Sequence, residues 1–404
     1  MRLFARVFKW TLLLALLFIV GALAALGVKG YTTFGRDPAG ARLAQIQQSP
    51  QWRDGKFQNP APMWSEMGRA LRQMFDAVPG DVPSERIAVV QDSAATFATP
   101  PTTGLRVTWF GHSSTLVEID GVKLLLDPLW GERASPVEWA GPERWYAPPI
   151  ALRDLPPIDA VLISHDHYDH LDQFTIAAMK DWNTVFIVPL GVGADLEHWG
   201  IPSRRIIELD WWQATQIRDV LIAATPARHA SGRLVLQADK TLWAGYALVG
   251  TAHRVFYSGD TGFHPALPDV GTRYGPFDLA LIESGQYDAD WPDWHMGPEQ
   301  AVIAAELVRA RALLPVHWGL LKLAHHSWTE PAERVLAAAR CSSVAILIPR
   351  PGQPVEPTTH PEIARWWPAM PWRTASERPI VATKTGVDAD RYDVPPCTRL
   401  SSSR

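Results

Sequence analysis

The sequence predicts a mixed α/β domain, and three observations predict it. Apolar runs of strand length recur along most of the chain, helix patterns stand between the later ones, and a dense group of ligand-type side chains directly follows one run. Residues 106–110 form the first run. Residues 115–119 and 122–126 flank Asp120-Gly121, a pair that favours a tight hairpin. Further strand-like runs cover residues 160–163, 184–188, 205–209, 220–224, 242–249, 254–257, 279–282, 312–316 and 344–348. Helix patterns cover 298–310 and 330–339. Pro298 suits a first helical turn, and Glu299 suits the positive end of the helix dipole. Periodicity takes the fold class this far and no further.

The main domain is expected at 101–356. Residues 31–100 read as a lead-in with a helical stretch around 64–77 and a packed entry segment at 55–60. Residues 357–404 are Pro-rich and polar with Trp366, Trp367 and Trp372 interspersed. They read as an extension that partly wraps the domain and frays at its last four residues.

The chain has 404 residues, 47% hydrophobic and 20% charged, which is ample for a large core. Its formal net charge of −4, with no stripe of Lys and Arg, argues against nucleic acid as a partner. Its two cysteines, Cys341 and Cys397, lie far from any ligand motif, so thiolate metal binding is not expected. The 19 tryptophans suit either core packing or an interfacial belt.

The N-terminus differs in kind. Arg2, Arg6 and Lys9 precede an uncharged run over residues 10–28, closed by Lys29. As a helix this run spans roughly 28 Å, close to the ~30 Å hydrocarbon core of a bilayer. The charge order places the N-terminus inside and the rest of the chain outside the cytoplasmic membrane. The expectation is a single-pass anchor. The alternative is a cleaved signal peptide, with Ala22-Leu23-Ala24 as its small-residue site and a secreted product.

Residues 164–172 read Ser-His-Asp-His-Tyr-Asp-His-Leu-Asp, directly after the apolar run 160–163. Within this stretch, His165-x-His167-x-Asp169-His170 packs three imidazoles and a carboxylate into six residues at the C-terminal end of a strand, where α/β sheets build sites. His165 and His167 can point one way from an extended segment, while Asp169 and His170 turn toward a second point. Neutral imidazole and carboxylate suit zinc and similar cations. Asp169 or Asp172 could instead cap a helix, but a cap does not need three histidines.

This spacing resembles the signature of the metallo-β-lactamase superfamily. The resemblance calls for further ligands at strand ends, and His229, Asp260 and His317 each follow an apolar run in the required order. Other segments narrow it: Trp109-Phe110-Gly111-His112-Ser113-Ser114, Leu126-Asp127-Pro128, Gly259-Asp260-Thr261-Gly262, His295-Met296-Gly297-Pro298-Glu299-Gln300-Ala301 and Pro315-Val316-His317-Trp318-Gly319. Together they resemble the branch of N-acyl-phosphatidylethanolamine-hydrolysing phospholipase D and its bacterial relatives, over about residues 50–356. Asp260 stands where true β-lactamases place Cys, and His167 where flavo-diiron reductases place a carboxylate. Asp166 stands where the mammalian enzymes of the branch have an amide.

The resemblance implies an αββα sandwich, here with an N-terminal transmembrane helix, and two zinc ions, other divalent transition metals being possible. His165, His167 and His229 would hold one ion and Asp169, His170 and His317 the other, with Asp260 bridging. Water activated between two cations is a nucleophile at neutral pH. The implied substrate is the phosphodiester of an N-acylated membrane phospholipid. Tyr168 and His295 fall at substrate-contacting positions of the branch, and Asp169 and His295 are the candidate catalytic residues. His295 could serve as an acid or phosphate ligand, or help cap the helix that follows; Arg228 and Arg233 could meet the same phosphate or be surface charges. A lactone or other small ester is the alternative substrate. A third reading is a non-catalytic envelope protein stabilised by metal, which a bridged open site fits poorly.

Overall fold

The computed structural model describes residues 32–394 apart from 67, 70, 71, 73–77, 92, 93, 235, 236, 360, 362 and 363, together with 9–11, 13–17 and 21. Two seven-stranded sheets face each other. The first contains β3 (Leu105–Gly111), β4 (Ser114–Ile119), β5 (Val122–Leu126), β6 (Ala160–Leu162), β7 (Val185–Pro189) and β8 (Ile206–Leu209). β3, β4 and β5 pair antiparallel, and β5 through β8 then run parallel. The second contains β9 (Ala214–Ile217), β10 (Val220–Thr225), β11 (Gly245–Val249), β12 (Arg254–Tyr257), β13 (Leu279–Glu283), β14 (Ala312–Val316) and β15 (Ala345–Ile346). It repeats the plan, antiparallel from β9 to β12 and parallel from β12 to β15. A short β16 (Pro354–Val355) returns to pair with β3 and so closes the edge of the first sheet. β1 (Trp52–Arg53) and β2 (Lys56–Phe57) form a separate small hairpin.

Alternation along each strand sorts side chains into layers. In β13, Leu279 and Leu281 join Leu126, Leu162, Val255 and Leu314 in the core between the sheets. Ala280 and Ile282 point the other way, toward α4 (Leu267–Tyr274), α5 (Pro298–Leu307) and α6 (Glu330–Ala339). On the opposite side, Leu125, Val161, Phe186 and Val188 pack against Ile176 of α2 (Gln173–Ala178) and Leu196 of α3 (Gly193–His198). Helix, sheet, sheet, helix is therefore the layer order.

The expected strands are present with shifts of a few residues. The 242–249 run begins its pairing only at Gly245, and the 344–348 run shrinks to two residues at the sheet edge. β9, α3 and α4 had no clear sequence signal. The helix expected at 64–77 lies mostly outside the described residues, and Trp64 itself is irregular, its N–H donating to Asp293. The transmembrane helix expected over 10–28 also lies mostly outside them. Among the described residues no helix is long and apolar enough to cross a membrane.

Packing accounts for many of the tryptophans. Trp109 stacks on Trp318 at 5.4 Å between centroids, and Trp366 and Trp367 from the C-terminal extension lie 5.8 and 5.9 Å from Trp318. The entry segment is also anchored, with Phe57 fully buried. The sheet-to-sheet core predicts that Leu281→Ala, at a fully buried position, lowers unfolding free energy by about 2–5 kcal/mol. The urea midpoint by circular dichroism measures it.

Candidate metal centre and active site

The candidate ligands leave the C-terminal ends of strands from both sheets and meet at the seam between them. His165 to His170 form the loop after β6. Asp172, not Asp169, caps α2, accepting from the N–H groups of Phe174 and Thr175. That leaves Asp169 free to face the site. His229 follows β10 and is held by the lead-in, where the Asn59 amide donates to its carbonyl at 2.7 Å and accepts from its N–H at 3.2 Å. Asp260 follows β12 between two glycines that closeness requires. Gly259 has φ 58°, and a Cβ there would sit 2.7 Å from that of Ser164; at Gly262 it would lie 2.0 Å from the Asp293 carbonyl.

His317 follows β14 with φ 67°, facing His112 with φ 51° at the irregular turn from β3 to β4. Their backbones bond reciprocally: His112 N–H to the Trp318 carbonyl at 3.0 Å, and His317 N–H to the His112 carbonyl at 2.9 Å. Left-handed conformations at two non-glycine residues are costly, and such strain gathers at functional sites.

The structure brings all seven expected ligands together. His167 Nδ1 lies 2.8 Å from His165 Nε2 and 3.2 Å from His229 Nε2. Asp169 Oδ2 lies 2.8 Å from His112 Nε2 and 3.4 Å from Nε2 of both His170 and His317. Asp260 Oδ2 stands between the two groups. It is 3.0 Å from His317 Nε2, 3.1 Å from His170 Nε2 and 3.9 Å from Nε2 of both His165 and His229. Asp260 Oδ1 and His170 Nε2 are buried with no hydrogen-bond partner. Buried polar atoms without partners are expensive, and these sit among nitrogen and oxygen donors that suit a borderline divalent cation. The residues present therefore fit a two-cation centre.

Protonation divides along the same line. Burial, reinforced by neighbouring imidazoles, holds His165 and His229 well below the usual histidine range, which keeps them neutral and ready to ligate. Burial also opposes charge on His170 and His317, but carboxylates overcome it. Asp260, Asp169 and Asp127 raise His170 well above its usual range, and Asp260, Asp169 and Glu283 hold His317 up at about 10. Burial likewise opposes charge on Asp169 and Asp260, yet facing imidazolium groups hold both well below the carboxylate range. Protons on His170 and His317 thus supply the positive charge these carboxylates demand.

Three supporting residues escaped the sequence reading of the ligands. Asp127, at the end of β5, accepts from Ser164 N–H at 2.7 Å, holds His170 Nδ1 at 2.6 Å and receives the Tyr257 hydroxyl. Glu283, at the end of β13, faces His295 Nδ1 at 2.8 Å and His317 Nδ1 at 3.4 Å, while its other oxygen takes the N–H groups of Thr261 and Met296. Burial raises the Glu283 carboxyl, and charge on His295 pulls it back. His112 is the third. The rule that found His229, a ligand-type residue after an apolar run, also picks out Asp127 and Glu283.

His295 lines a cleft of about 270 Å³ with His167, Asp169, Asp260, His317 and a wall of Trp291, Trp294 and Leu323. The α5 N-cap is Gly297 without a side-chain bond, so His295 does not cap that helix. Tyr168 is not in the cleft lining. Its hydroxyl donates to the Arg233 carbonyl at 2.8 Å, and its ring lies 4.1 Å below the Arg233 guanidinium. Neither Arg228 nor Arg233 is a surface charge. Arg228 is buried on Asp293 at 2.8 Å, and Arg233 on the carbonyls of Asp166 and Leu171 at 2.9 and 2.8 Å.

This geometry agrees with comparisons to known proteins. Residues 123–318 match the Beta-lactamase superfamily domain. An uncharacterized protein of Mycobacterium tuberculosis is 45% identical over 340 residues, 82% of this chain and 91% of that one. The chain belongs to the metallo-β-lactamase superfamily, as a metal-dependent hydrolase. More particularly, N-acyl-phosphatidylethanolamine-hydrolyzing phospholipase D 1 of Caenorhabditis elegans is a homologue, 35% identical over 292 residues, 66% of this chain and 82% of that one. A possible metal-dependent hydrolase from Veillonella parvula shares the fold, with TM-score 0.51 and 16% identity over 62% of this chain and 98% of that one.

Two outcomes are expected. Asp127→Asn weakens cation binding by about 10–100-fold through loss of the carboxylate behind His170, with an unchanged circular dichroism spectrum; calorimetric titration measures it. Because His170 and His317 hold protons in the ion-free chain, cation uptake releases them and affinity rises with pH. Proton release is read from the buffer dependence of the binding heat.

Proposed function

We propose that this chain is a dinuclear, zinc-type phosphodiesterase that hydrolyses N-acyl-phosphatidylethanolamine-like phospholipids. In this reading residues 101–356 form the hydrolase domain, 31–100 and 357–404 buttress it, and 10–28 anchor it with the catalytic part outside the cytoplasmic membrane. The observation that carries the proposal is Asp260 Oδ2, placed within 3.0–3.9 Å of four imidazole nitrogens from two groups. One carboxylate shared by two cation positions suits displacement at a phosphoryl or acyl centre. The homologue named for phospholipase D activity supports the substrate class.

His165, His167 and His229 would hold one cation; Asp169, His170 and His317 the other; Asp260 both. Two cations, when bound, lower the pKa of a water and neutralise phosphoryl oxygens. The chain's own residues do the rest. Asp127 fixes His170, and Asp169 is positioned on the cleft side to accept a proton from attacking water. His295 turns Nδ1 to Glu283, which leaves Nε2 toward the cleft to protonate the departing alkoxide, worth ~10²–10⁴ in rate. Trp291 and Trp294 exclude water from one wall.

A small ester or lactone is the second reading, favoured by the cleft volume of about 270 Å³. Sites for drug-sized ligands run about 300–1,000 Å³, so a whole phospholipid does not fit and its acyl chains must lie outside.

The test uses detergent-extracted protein with about two ions per chain by metal analysis. It should hydrolyse a bis-aryl phosphodiester and an N-acylated phospholipid faster than a lactone, lose both activities to chelator, and lose nearly all turnover in Asp260→Ala. Full activity in that variant, or a preference for lactone, overturns the proposal.

A further inference from the structure

Five large apolar side chains are exposed outside the first thirty residues among the described ones: Val82, Trp139, Phe174, Leu234 and Val387. Three of them, two on loops and one at the start of α2, sit on segments that hydrogen bonds tie to one another and to Thr33, near where the chain enters the described fold. Thr33 donates its hydroxyl to the Pro136 carbonyl at 2.9 Å, three residues from Trp139, which is 69% exposed. The Thr33 carbonyl receives Arg233 Nε at 2.9 Å, next to Leu234, which is 40% exposed. Phe174, 38% exposed, opens α2. That helix is tied to the same loops, because its cap Asp172 accepts the Gly131 N–H at 2.8 Å and Leu171 meets Arg233.

The uncharged run 10–28 ends four residues before Thr32. Four extended residues reach at most about 14 Å, so if that run occupies a bilayer, these loops stand at headgroup level. Among the described residues of the run, Trp10, Leu13, Leu14, Leu16 and Leu17 are exposed.

We propose that the loop surface bearing Trp139, Phe174 and Leu234 is a bilayer-docking face. The inference rests on the anchored-phosphodiesterase reading and adds to it how the substrate arrives. The guanidinium of Arg233 that holds Thr33 also holds the carbonyls of Asp166, within the metal loop, and Leu171, just after it. Docking therefore presents that loop to the lipid surface. An interfacial phospholipid can then offer its headgroup to the small cleft while its acyl chains stay in the membrane. Indole and phenyl rings suit this level of a bilayer.

The test reconstitutes the full chain in vesicles of phosphatidylethanolamine and phosphatidylglycerol. Hydroxyl-radical footprinting with mass spectrometry should show several-fold protection of Trp139, Phe174 and Leu234 relative to detergent, with Val387 unchanged. Equal labelling in both states overturns the docking face, whatever the activity. Trp139→Glu combined with Leu234→Glu should cut turnover of vesicle phospholipid at least tenfold and leave a soluble bis-aryl phosphodiester untouched. The same loss from Val82→Glu with Val387→Glu overturns the assignment to this face. Protection without turnover of either phosphodiester by the unmodified chain upholds the face and sinks the phosphodiesterase reading alone.

Discussion

One carboxylate organises the structure. Asp260 is buried, accepts no hydrogen bond at one oxygen, and directs the other toward imidazoles from two sheets. A buried anion is tolerable only if positive charge stands beside it. Everything around Asp260 follows from that demand: the protonated His170 and His317 of the ion-free chain, the carboxylates Asp127 and Glu283 behind them, and the strained turns that aim His112 and His317 inward. The fold meets the same demand geometrically. Two sheets of matching plan place their parallel strand ends at one seam, so ligands distant in sequence converge without a long structured loop.

Most strands were legible in the sequence because apolar runs encode burial directly, whereas the order of the layers followed only from the superfamily resemblance. β13 is a clear case, its leucines facing one core and Ala280 and Ile282 the other. The candidate ligands were legible because His165, His229, Asp260 and His317 closely follow apolar runs, and the superfamily resemblance added the loop residues between His165 and His170. β9 was not, since Ala214–Ile217 is an edge strand of mixed exposure whose identity depends on its partner β10. The role of Asp127 was hidden as well, because nothing local distinguishes a carboxylate that orients a ligand from one that is a ligand. Tyr168 is the reverse case. The family resemblance implied substrate contact, whereas in this structure the half-buried ring packs on Arg233 and its hydroxyl donates to the Arg233 carbonyl. Sequence adjacency carries little information about direction when a loop turns between consecutive side chains.

The pairing of Arg233 with backbone carbonyls carries a related lesson about arginine near a candidate metal centre. Its charge is spent on Thr33, Asp166 and Leu171, and that of Arg228 on Asp293 and Thr383. Neither guanidinium is therefore left to clamp an anionic substrate, and positive charge in the cleft is left to the candidate cation positions and their imidazoles.

Asp293 has a broader consequence. Its carboxylate accepts the Trp64 N–H, a nitrogen of Arg228, and the N–H and hydroxyl of Thr383, so the lead-in, the second sheet and the C-terminal extension share one acceptor. The neighbouring residue is Trp294, whose carbonyl steadies His229 at 3.1 Å. The segment that matches the superfamily is thus shorter than the cooperative unit. Trimming the chain to that segment, from either end, would release the same knot and loosen the cleft wall, so the unit that holds the cleft reaches at least from Trp64 to Thr383.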